Sequence, residues 1–155
     1  MYTMPNGEEV FILDGHIHNW DASVENQKNV HGRQFIDCFY GYHQMSPDEY
    51  IWPREKFYHY GSKVLYDDLF VSGHDDMAIF QPTNLREFYK NGFNTTEQNY
   101  EMQKAFPERF ITNGTFDPRD GEAGLDALRD QIEKYKLKGI KLYTCLLYTS
   151  DAADE

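Results

Sequence analysis

The sequence predicts an α/β fold: a parallel sheet flanked by helices, corresponding to the first half of a (β/α)8 barrel. Three observations predict it. Short apolar segments begin at Met77, Arg109 and Gly139, spaced 32 and then 30 residues apart, and helical patterns lie between them. That spacing is the size of a strand–helix–strand crossover, and repeated crossovers imply parallel strands. The first apolar segment, Val10–His18, ends in His-Ile-His and not in a Gly-rich phosphate loop, which argues against a nucleotide-binding open sheet. A complete barrel needs about 250 residues, so four strands and about three helices amount to half of one.

Each element has its own signal. Val10–His18 is apolar and bounded by Gly7 before it and polar residues after it. The second strand, Met77–Thr83, is closed by Pro82 and the turn residues Thr83-Asn84. The third, Arg109–Phe116, runs into the turn Asp117-Pro118-Arg119-Asp120-Gly121, and the fourth is Gly139–Thr144. Thr95 and Gln98 form a capping-box pattern that opens a helix ending before Pro107. Asp120 is placed to cap the next helix. There Leu125, Leu128, Ile132 and Tyr135 share one face at helical spacing.

Residues 19–76 break the period. The stretch Ser46-Pro47-Asp48-Glu49 predicts a helix start, and Leu65, Tyr66, Leu69 and Phe70 predict a helix leading into the second strand. The segment is rich in aromatics, among them Phe35, Phe39, Tyr40, Trp52 and Phe57. Leaving the C-terminal end of the first strand, it is expected to act as a lid or pocket wall, or else as packing or a subunit interface.

The formal charge of −11 argues against nucleic acid and anionic membrane surfaces as partners. No apolar stretch approaches the ~20 residues of a membrane span, and no signal peptide is evident. A small-molecule substrate, a cytoplasmic location and a homo-oligomeric state are the expectations. The last eleven residues, Cys145–Glu155, back-translate to the read-through of a transposase sequencing adapter and are expected to be an artefact. Residues 1–144 are then the natural part. Removing Asp151, Asp154 and Glu155 leaves its charge at −8. Cys38 is its one cysteine, so no disulfide framework exists.

In a strand, residues i and i+2 point to the same side, so His16 and His18 project together from a strand end. Imidazole is a common ligand of zinc and of several other divalent ions, and such a pair can hold one cation. Taken with this position, "LDGHIHNW" and "GLDALRDQIEKYKLKGIKLYT" resemble the amidohydrolase-related metal-dependent enzymes. The resemblance spans residues 8–144 and is strongest to the branch holding aminocarboxymuconate-semialdehyde and resorcylate decarboxylases and related hydrolases. It implies that His16 and His18 ligate a divalent metal, zinc first and manganese as another candidate. It also implies further histidines on strands five and six and an Asp on strand eight, none of which this sequence contains.

Lys141 has two readings under the resemblance: a carbamylated metal bridge, or a residue facing substrate or an internal charge. By alternation Lys141 points into the barrel if Ile140 and Leu142 pack against the outer helices. Asp14 is placed either to orient His16 or to sit in a turn. Trp20 fits core packing better than the pocket wall. Asn113 and Asp117 lie at the active rim, as substrate contacts or turn residues. His31, His43, His59 and His74 read as surface or loop histidines, with His43 the one to test. The implied chemistry is hydrolysis of an amide, ester or lactone, or non-oxidative decarboxylation. Competing readings are a TatD-like nuclease and a PHP-type phosphoesterase. Against the first, Asn113–Asp117 lacks a Glu; against the second, the residues after His18 lack a further metal-binding stretch. The remaining alternative is an inactive half-barrel with exposed strand edges.

Overall fold

The structure, a computed structural model, describes residues 1–142. The chain opens with a small antiparallel hairpin, β1 (Tyr2–Thr3) and β2 (Glu9–Val10), whose turn uses Gly7 at a φ of 84°. Val10 therefore leaves the expected first strand, which is β3 (Leu13–Ile17). The break has a local cause. Asp76 accepts the Ile12 N–H at 2.9 Å, and the Ile12 carbonyl accepts from Asp76 and Met77. That arrangement starts the parallel pairing only after Ile12.

Next come β4 (Trp20–Asp21) and α1 (Val30–His43), a helix the sequence patterns did not predict. Asn29 caps it, accepting from His31 and Gly32, and Gly32, Ile36 and Tyr40 form its buried stripe. The predicted helix at Ser46–Glu49 is only a 3-10 turn, Asp48–Tyr50, with no side-chain cap. Pro53 explains the stop, since a residue preceding proline is disfavoured in helical conformation. The chain continues through α2 (Arg54–Phe57), β5 (His59–Tyr60) and α3 (Ser62–Tyr66), which passes into a π-helical stretch over Asp67–Ser72. Then follow β6 (Met77–Phe80), α4 (Thr96–Ala105), β7 (Phe110–Thr112), β8 (Gly114–Thr115), α5 (Gly121–Tyr135) and β9 (Ile140–Lys141).

β3, β6 and β7 form a parallel sheet in that order. β8 continues β7 after Asn113 and pairs in parallel with β9. The parallel segments thus follow chain order, as in one arc of a barrel wall, and no closed barrel forms among the described residues. Thr95 makes the expected capping box with Gln98. Asp120 precedes α5 but makes no capping bond, because its carboxylate is taken by Arg86. The buried residues of α5 are Gly124, Leu128 and Tyr135, while Ile132 is exposed.

Two cores result. One packs Ile17, Ala78, Phe80 and Phe110 of the sheet against Leu65 and Met102 of the helices. The other is an aromatic lobe built from residues 19–76 and the loop after β6. It gathers Ile36, Tyr40, Phe57, Leu85, Tyr89 and Phe93, with Trp20, Phe35 and Phe39 against them. No described helix is long and apolar enough to cross a membrane. Ile140 and Leu142, whose packing on outer helices was the condition set for an inward Lys141, are each 47% exposed. The expected artefact, Cys145–Glu155, lies outside the described residues, as do Tyr143 and Thr144 of the fourth strand.

Candidate metal centre

The side of the sheet opposite the helices is decided by strand alternation. Ile17, Ala78, Phe80 and Phe110 point to the helices and are buried. His16 and His18, Gln81, Asn113 and Lys141 gather on the other side, at the C-terminal ends of the parallel segments. The two imidazoles converge: His16 Nε2 and His18 Nε2 lie 2.9 Å apart, with ring centroids at 4.8 Å and planes at 70°. Lys141 Nζ is 3.3 Å from His16 Nε2.

Both rings are held neutral. Burial lowers the pKa of His18 to about 4, helped by the charge of Lys141 and by His16, and opposed by the backbone of Gln81. Burial also lowers His16, again with help from Lys141, while Asp14 opposes the shift. Neutral imidazole is the form that binds a metal. His16 Nε2 has one lone pair and two neighbours competing for it. His18 Nδ1 is buried without a hydrogen-bond partner.

At 2.9 Å the two nitrogens are at hydrogen-bond distance. Two nitrogens bound at ~2.0–2.1 Å to one tetrahedral ion stand about 3.3 Å apart, so the rings would have to open by only about 0.4 Å to hold a cation between them. The pair supplies two of four such positions. Among the described residues no group of three or more His, Cys, Asp or Glu comes together, so the remaining positions have no side chain here.

The structure places the other candidates as follows. Asp14 Oδ1 accepts the backbone N–H of His16 at 2.8 Å, so it fixes the strand and not the ring. Trp20 packs in the aromatic lobe and donates to the Phe57 carbonyl. His43 is not a loop histidine: it ends α1, stacks on Phe57 and accepts the Trp52 N–H at 2.8 Å. His31 is exposed beside Gln34, His59 pairs with Asp21, and His74 lies against Tyr2. Asp117 holds Arg119 and lines a cleft of about 160 Å³ with Arg86, Thr115 and Asp120, away from the histidines.

Asn113 does sit at the rim, where its amide donates to Gln81 Oε1 at 3.2 Å. Gln81 in turn donates to the Gly15 carbonyl at 2.9 Å. Sequence reasoning missed Gln81. The signal was available, because alternation from the apolar Ala78 and Phe80 turns this polar residue to the histidine side.

A search of the curated proteins finds no match. Among solved structures, an uncharacterised TIM-barrel protein, Bb4693, from Bordetella bronchiseptica superposes with a TM-score of 0.47 at 12% identity. The match covers 79% of this chain and 41% of that one, so the chain spans under half the length of that protein. The amidohydrolase family model matches residues 13–145, a stretch that starts at β3 and takes in every strand of the parallel wall, and on that match the chain belongs to the amidohydrolase family.

Proposed function

We propose that this chain carries the first part of the active site of a metal-dependent amidohydrolase-superfamily enzyme. The observation that carries the proposal is the meeting of two neutral imidazole Nε2 atoms at the C-terminal end of a parallel strand. Parallel α/β architectures place catalysis at that end. His16 and His18 would hold one divalent ion, zinc first by the preference of nitrogen donors, with manganese as another candidate. When bound, that ion supplies Lewis acidity, which brings the pKa of water near 7 and polarises a carbonyl oxygen.

The chain's own residues set what surrounds that chemistry. Burial, helped by the Lys141 charge, keeps both imidazoles unprotonated, and Lys141 brings the one ammonium among the rim residues named here, which suits a carboxylate or phenolate on the substrate. Gln81 and Asn113 line the same face with amides. A small carboxylic or aromatic substrate fits these groups. Its reaction is either hydrolysis of an amide, ester or lactone, or loss of a carboxyl group as in the decarboxylase branch. A cytoplasmic setting and self-association belong to the same proposal.

A second reading concerns the chain by itself. Phe11 and Leu13 by the β3 edge, and Ile140 and Leu142 at the β9 edge, are exposed apolar residues. With two ligands and open edges, the described chain is an inactive half-site with weak metal affinity. The two readings separate by experiment. Zinc titrated into the chain should bind weakly, and His16→Ala or His18→Ala should abolish that binding. In a longer chain carrying this segment, either substitution should remove most of the metal and the activity. Full activity in both variants would refute the assignment.

A further inference from the structure

The imidazole pair does not follow from a regular strand. Along β3 and β6, Leu13 pairs with Met77 and Asp14 with Ala78, but the next pair is Ile17 with Phe80. Three residues of β3 thus span two of β6, which is a β-bulge with Gly15 and His16 inside it. A bulge re-aims the side chain it carries.

Gln81 brackets that bulge. Its backbone N–H donates to the Ile17 carbonyl at 3.1 Å, and its side-chain Nε2 donates to the Gly15 carbonyl at 2.9 Å. The two bonds grip the strand immediately before and after His16. The orientation of the amide is forced, since a carbonyl only accepts and must face the NH2 group. Oε1 is then left for Asn113 Nδ2, which donates to it at 3.2 Å. Gly139 makes room for Asn113: a Cβ there would lie 2.5 Å from Asn113 Oδ1. The chain Gly139, Asn113, Gln81, Gly15 therefore crosses the whole parallel wall at the level of the histidines.

We infer that Gln81 is a positioning residue: by pinning the bulge at Gly15–His16, with its amide fixed by Asn113, it aims His16 Nε2 at His18 Nε2. Gln81 touches neither ring through its side chain, so its effect is on their geometry. The inference rests on the proposed metal site only for its consequence, and its test is first made without metal.

The test uses the full 155-residue chain, metal-free, at pH 8, with histidine ring protons and nitrogens followed by two-bond 1H–15N correlation. Wild-type protein should show His16 and His18 locked in complementary Nε2–H and Nε2 forms. Gln81→Met removes the donor to Gly15, and Asn113→Asp removes the donor that fixes the amide. Both should collapse the two ring patterns toward ordinary tautomer mixtures and leave His43 in the aromatic lobe unchanged. Asn113→Asp added to Gln81→Met should change nothing further, because both act through one amide. Zinc ion titrated alone should then bind the variants 10- to 100-fold more weakly than wild type, the usual cost of losing a group that orients a ligand. Unchanged ring patterns in both single variants overturn the inference. Failure of the wild-type chain to bind zinc overturns the metal reading instead, and the metal-free spectra still decide the role of Gln81.

Discussion

The aromatic lobe, built from Trp20–Tyr60 and the loop after β6, closes over its own core, whereas the mouth at the ends of β3, β6 and β7 stays half open. In the lobe each ring finds rings. Trp20 lies 5.4 Å from Phe39, 5.2 Å from Phe57 and 5.9 Å from Phe93 by centroids, and its N–H is satisfied by the Phe57 carbonyl. At the mouth, two imidazoles and an ammonium converge, and a buried His18 nitrogen has no partner. The lobe gains its stability from shape and apolar burial. The mouth keeps polar groups in a poorly satisfied arrangement, which is how sites that await a ligand differ from sites that only pack. Substitutions should separate the two: in the lobe they cost stability, at the mouth they cost binding.

The largest effect is expected from Phe57→Ala. Phe57 is 5% exposed and touches the rings of Trp20, Phe39, Tyr40 and His43. Removing it leaves a cavity among aromatics and should cost about 3–5 kcal/mol, read as a lowered midpoint in urea with little change of slope. A loss below about 1 kcal/mol would show that the lobe is not a packed core, and the contrast with the mouth would fail.

A middle-sized effect is expected where the regions meet. Asn19 follows His18 directly, and its amide oxygen accepts from Asn94. Asn94 and Asn99 exchange two hydrogen bonds, at 2.8 and 3.0 Å, and both are fully buried. Asn94→Ala strands Asn19 Oδ1 and both amide groups of Asn99 away from water. Each buried group left unpaired costs about 1–3 kcal/mol, so with three such groups the total should be about 3 kcal/mol or more. Hydrogen exchange on the same variant locates the loss: faster exchange in α4 and β4, with α1 unchanged, ties the network to the mouth side. Faster exchange in α1 would assign it to the lobe.

The parallel wall was legible in the sequence because its strands carry short apolar runs at a regular spacing. Met77, Phe110 and Ile140 open strands within one residue of the expected starts. The capping box at Thr95 was legible because both partners are local. The lobe was less so. α1 buries Gly32, Ile36 and Tyr40, a stripe whose glycine gives no hydrophobic signal. A Cβ at Gly32 would lie 2.5 Å from the Phe88 carbonyl, so the glycine is there for close approach, which only the tertiary fold reveals. At the mouth, His16 and His18 stood out through their spacing. The bulge that turns them together depends on Gln81, a residue 63 positions from His18 whose part is set by pairing across strands.

The smallest effect concerns charge at the loop after β8, where neither packing nor the imidazole pair is involved. Hydrogen bonding from the Arg119 guanidinium holds the Asp117 carboxyl below its ordinary value, against the opposing effect of burial and with help from the Arg119 N–H and the Arg86 charge. A depressed carboxylate contributes stability above its unfolded pKa and loses it as pH falls through the folded one. The contribution should therefore be constant from about pH 5 to 8 and decline below about pH 4 as the folded carboxyl takes up its proton. Arg119 is 45% exposed on its side chain, so solvent screening keeps the gain small. Asp117→Asn should shift the melting temperature slightly at pH 7 and less at pH 3, while zinc binding is untouched. An equal shift at both pH values would make the residue a packing element of the turn, and the charge-based account of this loop would not stand.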